Sequence, residues 1–520
     1  MTTTGKRLIL GGTLLAGMAL AAPALAQDQV LRVGINAPDI TTLDPHRASA
    51  TGDKGAVGWI YNGLLRFPPG NADPGALEPD LAESWTTSDD GLEWVFTLRE
   101  GVAFHGDWGV LTAEDVVYSL ERAKDPERSS FAAAYAGFQT IEALDPRTVR
   151  IVLAHPVPGF LGLLSNYHGG HIVSKAAAEA AGADFGKQPV GTGPFAFVSH
   201  QTQQSVTFAR HDGYFRGTPK ITGIDYRLIQ ADASRELAFT SGELDLIYGK
   251  REQRWIDRWA REANVVVDVF WPAEFRTLHL NTRQAPLDDR RVREAVARAI
   301  NIDEIVAFVG ADVAPKGCSV IPSGYLGEEC SAWVYGYDPA AVKKLLAEAG
   351  HPDGITIKQV VSSNNAQLPI MEVIQAQLAA SGIKLDLQVV DHPTYHDLIR
   401  KDLSGMVFYG SARFPIADSY LTEYYHSDAI VGKPTAITNF SHCDVADAAI
   451  EAARVNTDPQ GQLADWAEAQ RLIHEEICAV PLFNLRQVWL RSDRLDYGYD
   501  LVGAMNLAPP ITELTELTAR

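Results

Sequence analysis

The residues best equipped for chemistry lie in one short run. Met406 to Tyr409 reads as an apolar strand, and Gly410, Ser411, Ala412, Arg413 and Phe414 follow it as a loop. Ligands of open α/β sheets bind beyond the carboxyl ends of strands. There Tyr409 and Phe414 offer stacking faces, Ser411 lies between them, and Arg413 offers a planar fork for a carboxylate or phosphate. The competing role for Arg413 is an ion pair with a nearby acid. Trp271, just ahead of another strand, is the tryptophan expected beside a bound ligand. Catalytic signatures are missing: the chain has no GxSxG, HExxH or P-loop. Gly191 to Gly193, followed by Pro194, reads as a turn and not a dinucleotide cradle. Glu114-Asp115 and Asp288-Asp289 read as helix starts, and His105 as a structural histidine. His168 and His171 lack a third close ligand, so no metal, cofactor or catalytic residue is expected.

Composition narrows the partners. The chain has 520 residues, 46% hydrophobic and 21% charged, a balance that suits two or three folded domains. Its formal net charge of −20 disfavours nucleic acid and anionic lipid. Residues 1–26 read as a signal peptide, with Lys6 and Arg7 ahead of an apolar run and a small-x-small site at Ala24-Leu25-Ala26. The mature chain is expected to start near Gln27 or Asp28 and to be exported. Four cysteines in an exported chain point to disulfides. Cys318 and Cys330 bracket a Pro/Gly-rich loop. Cys443 opens one apparent helix and Cys478 ends the next, and in an antiparallel pair those ends lie side by side. The expected bridges are Cys318–Cys330 and Cys443–Cys478.

The element that must position these groups is Phe275 to Ile300. Its first half alternates as a strand. In its second half Val292, Ala295, Val296, Ala299 and Ile300 paint one apolar helix face, with Asp288 as the expected N-cap. Upstream, QVLRVGIN (29–36) reads as a strand, and Asp90-Gly91 and Asp145-Pro146 as hairpin turns. Thr112 and Asp115 form the pattern of a capping box. Downstream, Asp338 caps a helix that Pro339 opens and Gly350 ends. Strands at Ile355–Val361, Ile383–Val389 and Met406–Tyr409, separated by helices, predict a mostly parallel sheet. Val480–Leu490 is a second crossing. A segment that starts in one lobe, leaves and returns implies a hinge and a cleft.

Seven stretches appear in order: LEPDLAESW (77–85), DGLEWVFTLREGVAFHGD (90–107), LTAEDVVYSLERAKDP (111–126), VGTGPF (190–195), SGELDL (241–246), LNTRQAPLDDRRVREAVARAI (280–300) and YDPAAVKKLLAEAG (337–350). Together they resemble the family 5 solute-binding proteins of ABC importers, the dipeptide, oligopeptide and nickel-binding group, over nearly the whole mature chain. The resemblance implies an α/β, two-lobe periplasmic binding protein fold. Each lobe would hold a mixed sheet, with a hinge of crossing strands and an extra α+β subdomain. Lobe I would comprise residues 28–60, 185–270 and 490–520, the subdomain 61–184 and lobe II 271–489. It further implies a monomeric, non-catalytic receptor that delivers one small-molecule solute to a membrane permease.

Peptide-binding members hold the peptide's amino terminus with an Asp in the loop after the strand matching MVFYG. Here that loop is GSARF, without an acid. The expected solute is therefore a small carboxylate-bearing compound: an amino-acid conjugate, an opine-like compound or a chelate. A di- or oligopeptide and an oligosaccharide are the alternatives within the family. The expected contacts are Tyr409, Arg413 and Trp271 from lobe II and His46, Asn166, Tyr167 and His168 from lobe I. An exported hydrolase is the reading from another class. It needs a nucleophile with a base and an orienter, and the sequence offers none.

Overall fold

Two long strands, Val265–Leu280 and Ala479–Ser492, run antiparallel and carry the architecture. Their pairing runs from Val265–Ser492 to His279–Ala479, with register shifts between Phe270 and Glu274 and between Arg276 and Thr277. The computed structural model describes residues 1–2, 29–364, 366–433 and 438–518. The signal peptide expected over 1–26 thus lies outside the described residues except for its first two.

At one end the pair joins the sheet of the first lobe. Ala479–Ser492 pairs with Leu246–Tyr248, which flanks Val30–Ile35 in parallel. Val30–Ile35 pairs in parallel with Gly223–Leu228, and antiparallel Ser205–Arg210 and Phe195–Gln201 complete that side. At the other end Phe275–Leu280 pairs antiparallel with Met406–Ser411. The eight strands form one mixed sheet that spans both lobes.

Each part buries its own apolar cluster. Leu31, Val33, Ile35, Val57, Tyr226, Trp489 and Tyr497 pack together in the first lobe, and Val173, Ala177 and Phe185 join them. A four-stranded antiparallel sheet of Ala82–Thr87, Glu93–Leu98, Thr148–Leu153 and Phe138–Asp145 packs on the helix Ala113–Lys124 through Phe96, Ile151, Val116 and Leu120. That helix starts on the expected capping box, with the Thr112 N–H donating to Asp115 Oδ2 at 2.9 Å. The second lobe packs Leu278, Leu280, Val292, Val296, Ile357 and Ile374 in one cluster.

Three local expectations meet the structure differently. Asp338 caps the helix Pro339–Glu348 as expected, accepting the Ala341 N–H at 3.1 Å. The helix Arg290–Ala299 is capped by Asp289 rather than Asp288. The reason is the preceding turn: Asp288 gives its own N–H to Gln284 O and so belongs to that turn. The mostly parallel sheet expected downstream of residue 275 is also corrected. Among the described strands there, only Ile355–Ser362 and Ile383–Val390 pair in parallel, as a separate two-stranded sheet. Phe275–Leu280 enters from the other lobe, so it meets Met406–Ser411 head to tail and not as one limb of a strand–helix–strand unit.

Disulfides join Cys318 to Cys330 and Cys443 to Cys478, the pairing expected from the loops and helix ends. Cys443 and Cys478 are buried against Ile450 and Ile473 of the helices Asp447–Val455 and Pro459–Glu476.

Candidate functional site

The loop after Met406–Ser411 leads into the helix Ala417–Tyr425, which sets the environment of Arg413. Tyr420, Glu423 and Tyr424 stand at i, i+3 and i+4, one face of that helix. The Arg413 backbone N–H donates to the Tyr420 hydroxyl at 3.0 Å, and Arg413 Nε donates to Glu423 Oε2 at 2.5 Å. Its guanidinium lies 5.7 Å from the centroid of the Tyr424 ring. Arg413 is thus held in place by its own lobe with part of its fork in use.

A second ionic group comes from the crossing strand. Glu274 and Arg276 are two residues apart, so their side chains share a face of that strand. Glu274 accepts from Arg251 Nη1 and from Arg276 Nη2, each at 2.5 Å. Burial disfavours the Glu274 carboxylate, but the Arg251 and Arg276 charges outweigh it and hold the group down at about 2. Arg276 lies flat on Gly410, where a Cβ would come within 2.4 Å of its guanidinium.

From the first lobe comes Lys54, in the short helix Thr51–Ile60. Gly55 and Gly58 let that helix lie against Tyr226 and Asn506, since a Cβ at either would meet them at 3.3 and 2.7 Å. Lys54 is half-buried and forms none of the ion pairs found among the described residues. Burial, then repulsion by Arg413, pushes its ammonium down to about 7 against the attraction of Glu274. His168 is driven the same way, by burial first and then by Lys54 and Arg413, so it is neutral at pH 7.

The other expected residues divide. Tyr409 packs 5.0 Å from the Phe440 ring, and Ser411 Oγ accepts from the Tyr424 hydroxyl at 2.6 Å. Trp271 is half-buried, with the Arg486 guanidinium 4.6 Å from its ring centroid. Tyr167 stacks on His168 with ring centroids 3.6 Å apart. Asn166 lines a small cavity of about 70 Å³ together with Asn71 and Met505. Phe414 offers little free stacking face, contrary to expectation. It is 8% exposed and packs against Phe67, Tyr167, Ile416 and Met505. His46 lies apart from these groups in a network of its own. It is fully buried, with Nδ1 against Arg122 Nη1 at 2.6 Å and Nε2 against His171 O at 3.1 Å, so neither nitrogen is left for a solute.

Lys54, Arg251, Glu274 and Arg276 are not among the residues expected from sequence. The Glu-x-Arg alternation at 274–276 marks two charges on one strand face and is the signal for that pair. Lys54 carries no such signal. The assembled groups contain no nucleophile with a base. They gather cationic groups, with Glu274 and Glu423 paired among them, near the strand Val265–Leu280 that crosses between the lobes.

The profile of the "Bacterial extracellular solute-binding proteins, family 5 Middle" matches residues 76–431. The glutathione-binding protein GsiB of Escherichia coli K12 is 30% identical over 492 residues, covering 90% of this chain and 93% of that protein. Di/tripeptide-binding protein 2 of Pseudomonas aeruginosa is 29% identical over 505 residues, covering 90% and 92%. Among solved structures, MoaA of A. tumefaciens R10 in complex with mannopinic acid is 48% identical, with a TM-score of 0.86 over 94% of this chain and 99% of that one. DppA of Helicobacter pylori in complex with the peptide STSA is 27% identical, with a TM-score of 0.81 over 94% and 98%. These likenesses share the two-lobe α/β architecture and a role in binding without turnover. The chain therefore belongs to family 5 of the bacterial extracellular solute-binding proteins, periplasmic receptors that bind a small organic solute and deliver it to an ABC permease.

Proposed function

We propose that this receptor captures a small carboxylate-bearing organic solute, of the opine or amino-acid-conjugate class, as a monomer with one solute per chain. The observation that carries the reading is the charge balance of the cleft. Lys54, Arg251, Arg276 and Arg413 are four cations, and Glu274 and Glu423 are the two carboxylates set among them. Enclosed charges need partners, and this excess is met by an anion. Arg413 and Lys54 hold its carboxylate, while Trp271, Tyr409, Tyr167 and His168 wall the remainder. Ser411 and Asn166 border that space. The lobes are residues 28–60, 185–270 and 490–520 on one side and 271–489 on the other, with 61–184 as the added subdomain.

The likeness to MoaA supports the same class, since its bound solute, mannopinic acid, is an organic acid. A short peptide is the second reading, favoured by the relatives described as glutathione-binding and di/tripeptide-binding. The test is native mass spectrometry of protein taken from its export compartment, followed by denaturation and identification of what is released. One small organic acid per chain is the expected result. A ladder of peptides overturns the reading in favour of the second.

A further inference from the structure

The disulfide-closed loop Cys318–Cys330 lies outside the expected site residues but is bonded to the segment that carries them. Just before the bridge, residues 313–317 lie along the crossing strand Ala479–Ser492. There the Arg486 N–H donates to Val313 O at 2.8 Å, the Asn484 N–H to Pro315 O at 2.9 Å and the Gly317 N–H to Leu482 O at 3.0 Å. The buried Gln470 amide holds the loop itself. Its Oε1 accepts from Ser319 Oγ at 2.7 Å and from the Glu329 N–H at 3.0 Å, and its Nε2 donates to Gly327 O at 2.7 Å. On its far side the loop meets the residues after Arg413. The Leu326 N–H donates to Pro415 O at 3.2 Å, and the Ala417 N–H donates to Leu326 O at 2.8 Å, a parallel bridge around Ile416. Gly327 permits the approach, since a Cβ there would lie 2.9 Å from that of Ala417. The Tyr325 ring, 8% exposed, stands edge-on 5.8 Å from the Tyr420 ring. Tyr420 is the residue whose hydroxyl accepts the Arg413 backbone N–H at 3.0 Å.

We propose that Tyr325 is a positioning residue for Arg413, acting through Tyr420, and that the bridged loop Cys318–Cys330 is the frame that holds it there. This rests on the reading that Arg413 holds the solute. Arg413 is fixed at its backbone by Tyr420 and at its guanidinium by Glu423, and both partners stand on the helix Ala417–Tyr425. That helix begins at Ala417, the residue bonded to Leu326. Tyr420 packs between Tyr325 and Phe275 of the crossing strand, 5.8 and 6.1 Å from their rings. Removing the Tyr325 ring leaves Tyr420 supported on one side. Binding to a guanidinium already held in place avoids the cost of ordering it, so affinity depends on a residue that need not touch the solute.

The test uses the full mature chain with mannopinic acid as probe. Tyr325→Leu keeps an apolar side chain but removes the ring, and Tyr325→Phe keeps the ring. Calorimetry reads affinity, and amide hydrogen exchange reads the Arg413 and Ala417 N–H groups. Tyr325→Leu is expected to weaken mannopinic acid binding by about 3- to 10-fold, the range for one edge-to-face ring pair, and to speed exchange at Arg413. Tyr325→Phe is expected to stay close to wild type in both. Tyr325→Phe as impaired as Tyr325→Leu overturns the ring contact as the cause. Cys318→Ser/Cys330→Ser, which opens the frame, is expected to speed exchange at Arg413 and Ala417 and to weaken binding, and it serves as the test should Tyr325→Leu not fold. In an Arg413→Ala background, Tyr325→Leu is expected to cost nothing further, because it acts through Arg413. Equal losses in both backgrounds make Tyr325 merely structural and overturn the proposal, as does unchanged exchange at Arg413 in both variants. A wild type that binds no organic acid overturns the carboxylate reading, and the exchange rates then judge the positioning on their own.

Discussion

The ring of Phe414 lies 5.8 Å from the ring of Phe67, centroid to centroid, joining the loop after Met406–Ser411 to a segment near the N-terminal strands. Around them Tyr167, Ile416 and Met505 complete an apolar cluster drawn from four separate segments of the chain. Gly162 makes room for it: a Cβ there would sit 2.1 Å from the Phe414 ring. The cluster ties the loop after Met406–Ser411 to segments far away in the chain, so it favours the arrangement in which they meet. Phe414→Ala should weaken solute binding by about 30-fold, roughly 2 kcal/mol, below the core value because an interface can relax. The radius of gyration of the unliganded protein should rise. An affinity within two-fold of wild type contradicts this assignment.

Arg413→Ala should cost more than tenfold in affinity, about 1.4 kcal/mol. It removes a cation from the cleft and leaves Glu423, its 2.5 Å partner, to repel an incoming carboxylate. Removing both charges in Arg413→Ala/Glu423→Ala should recover part of the loss. Calorimetry of the two variants separates these contributions. No recovery in the double variant means that Arg413 acts on the solute alone.

Acid should destabilise the protein in two stages. Burial lowers His46 and His474 from 6.5 to about 4, and His171 and His279 to about 3. Burial and then the Arg122 charge act on His46, and His46 adds to the effect on His171. A depressed folded pKa means the unfolded chain binds more protons, so the histidines' share of stability is complete above 6.5 and falls as pH drops toward those values. Glu274 follows the same sign at lower pH, from 4.5 down to about 2. Thermal stability should decline below pH 6.5, and above pH 7 it should rise further as Lys54, held down to about 7 by burial, sheds its proton in the folded chain. Glu274→Gln should flatten only the part below about 4.5. An optimum near pH 5 contradicts the buried neutral histidines.

What the sequence disclosed was local chemistry. Thr112 with Asp115, and Asp338 with Pro339, are capping patterns that act within a few residues, and the helices start there. The cysteines were legible because a closed loop and two adjacent helix ends constrain them. Arg413 was legible as a charge beyond a strand, but its pairing with Glu423 depends on how the next helix turns its face. Lys54 was not legible. In TGDKGAVGWI it resembles any solvated lysine, and what buries it and lowers its ammonium, with Arg413 contributing, comes from residues far along the chain. His46 misled for the opposite reason, since its partners Arg122 and His171 are 76 and 125 residues away. The antiparallel entry of Phe275–Leu280 was hidden because nothing in the local pattern says from which side a strand arrives.

The central claim is that the cleft selects a carboxylate. Its most direct measurement is a calorimetric titration of the mature protein with mannopinic acid and, in parallel, with the same compound carrying its carboxylates as amides. The account predicts one site per chain for the acid and at least a 100-fold weaker affinity for the amide, since Lys54 and Arg413 lose the charge they face. Equal affinity for the two compounds contradicts it.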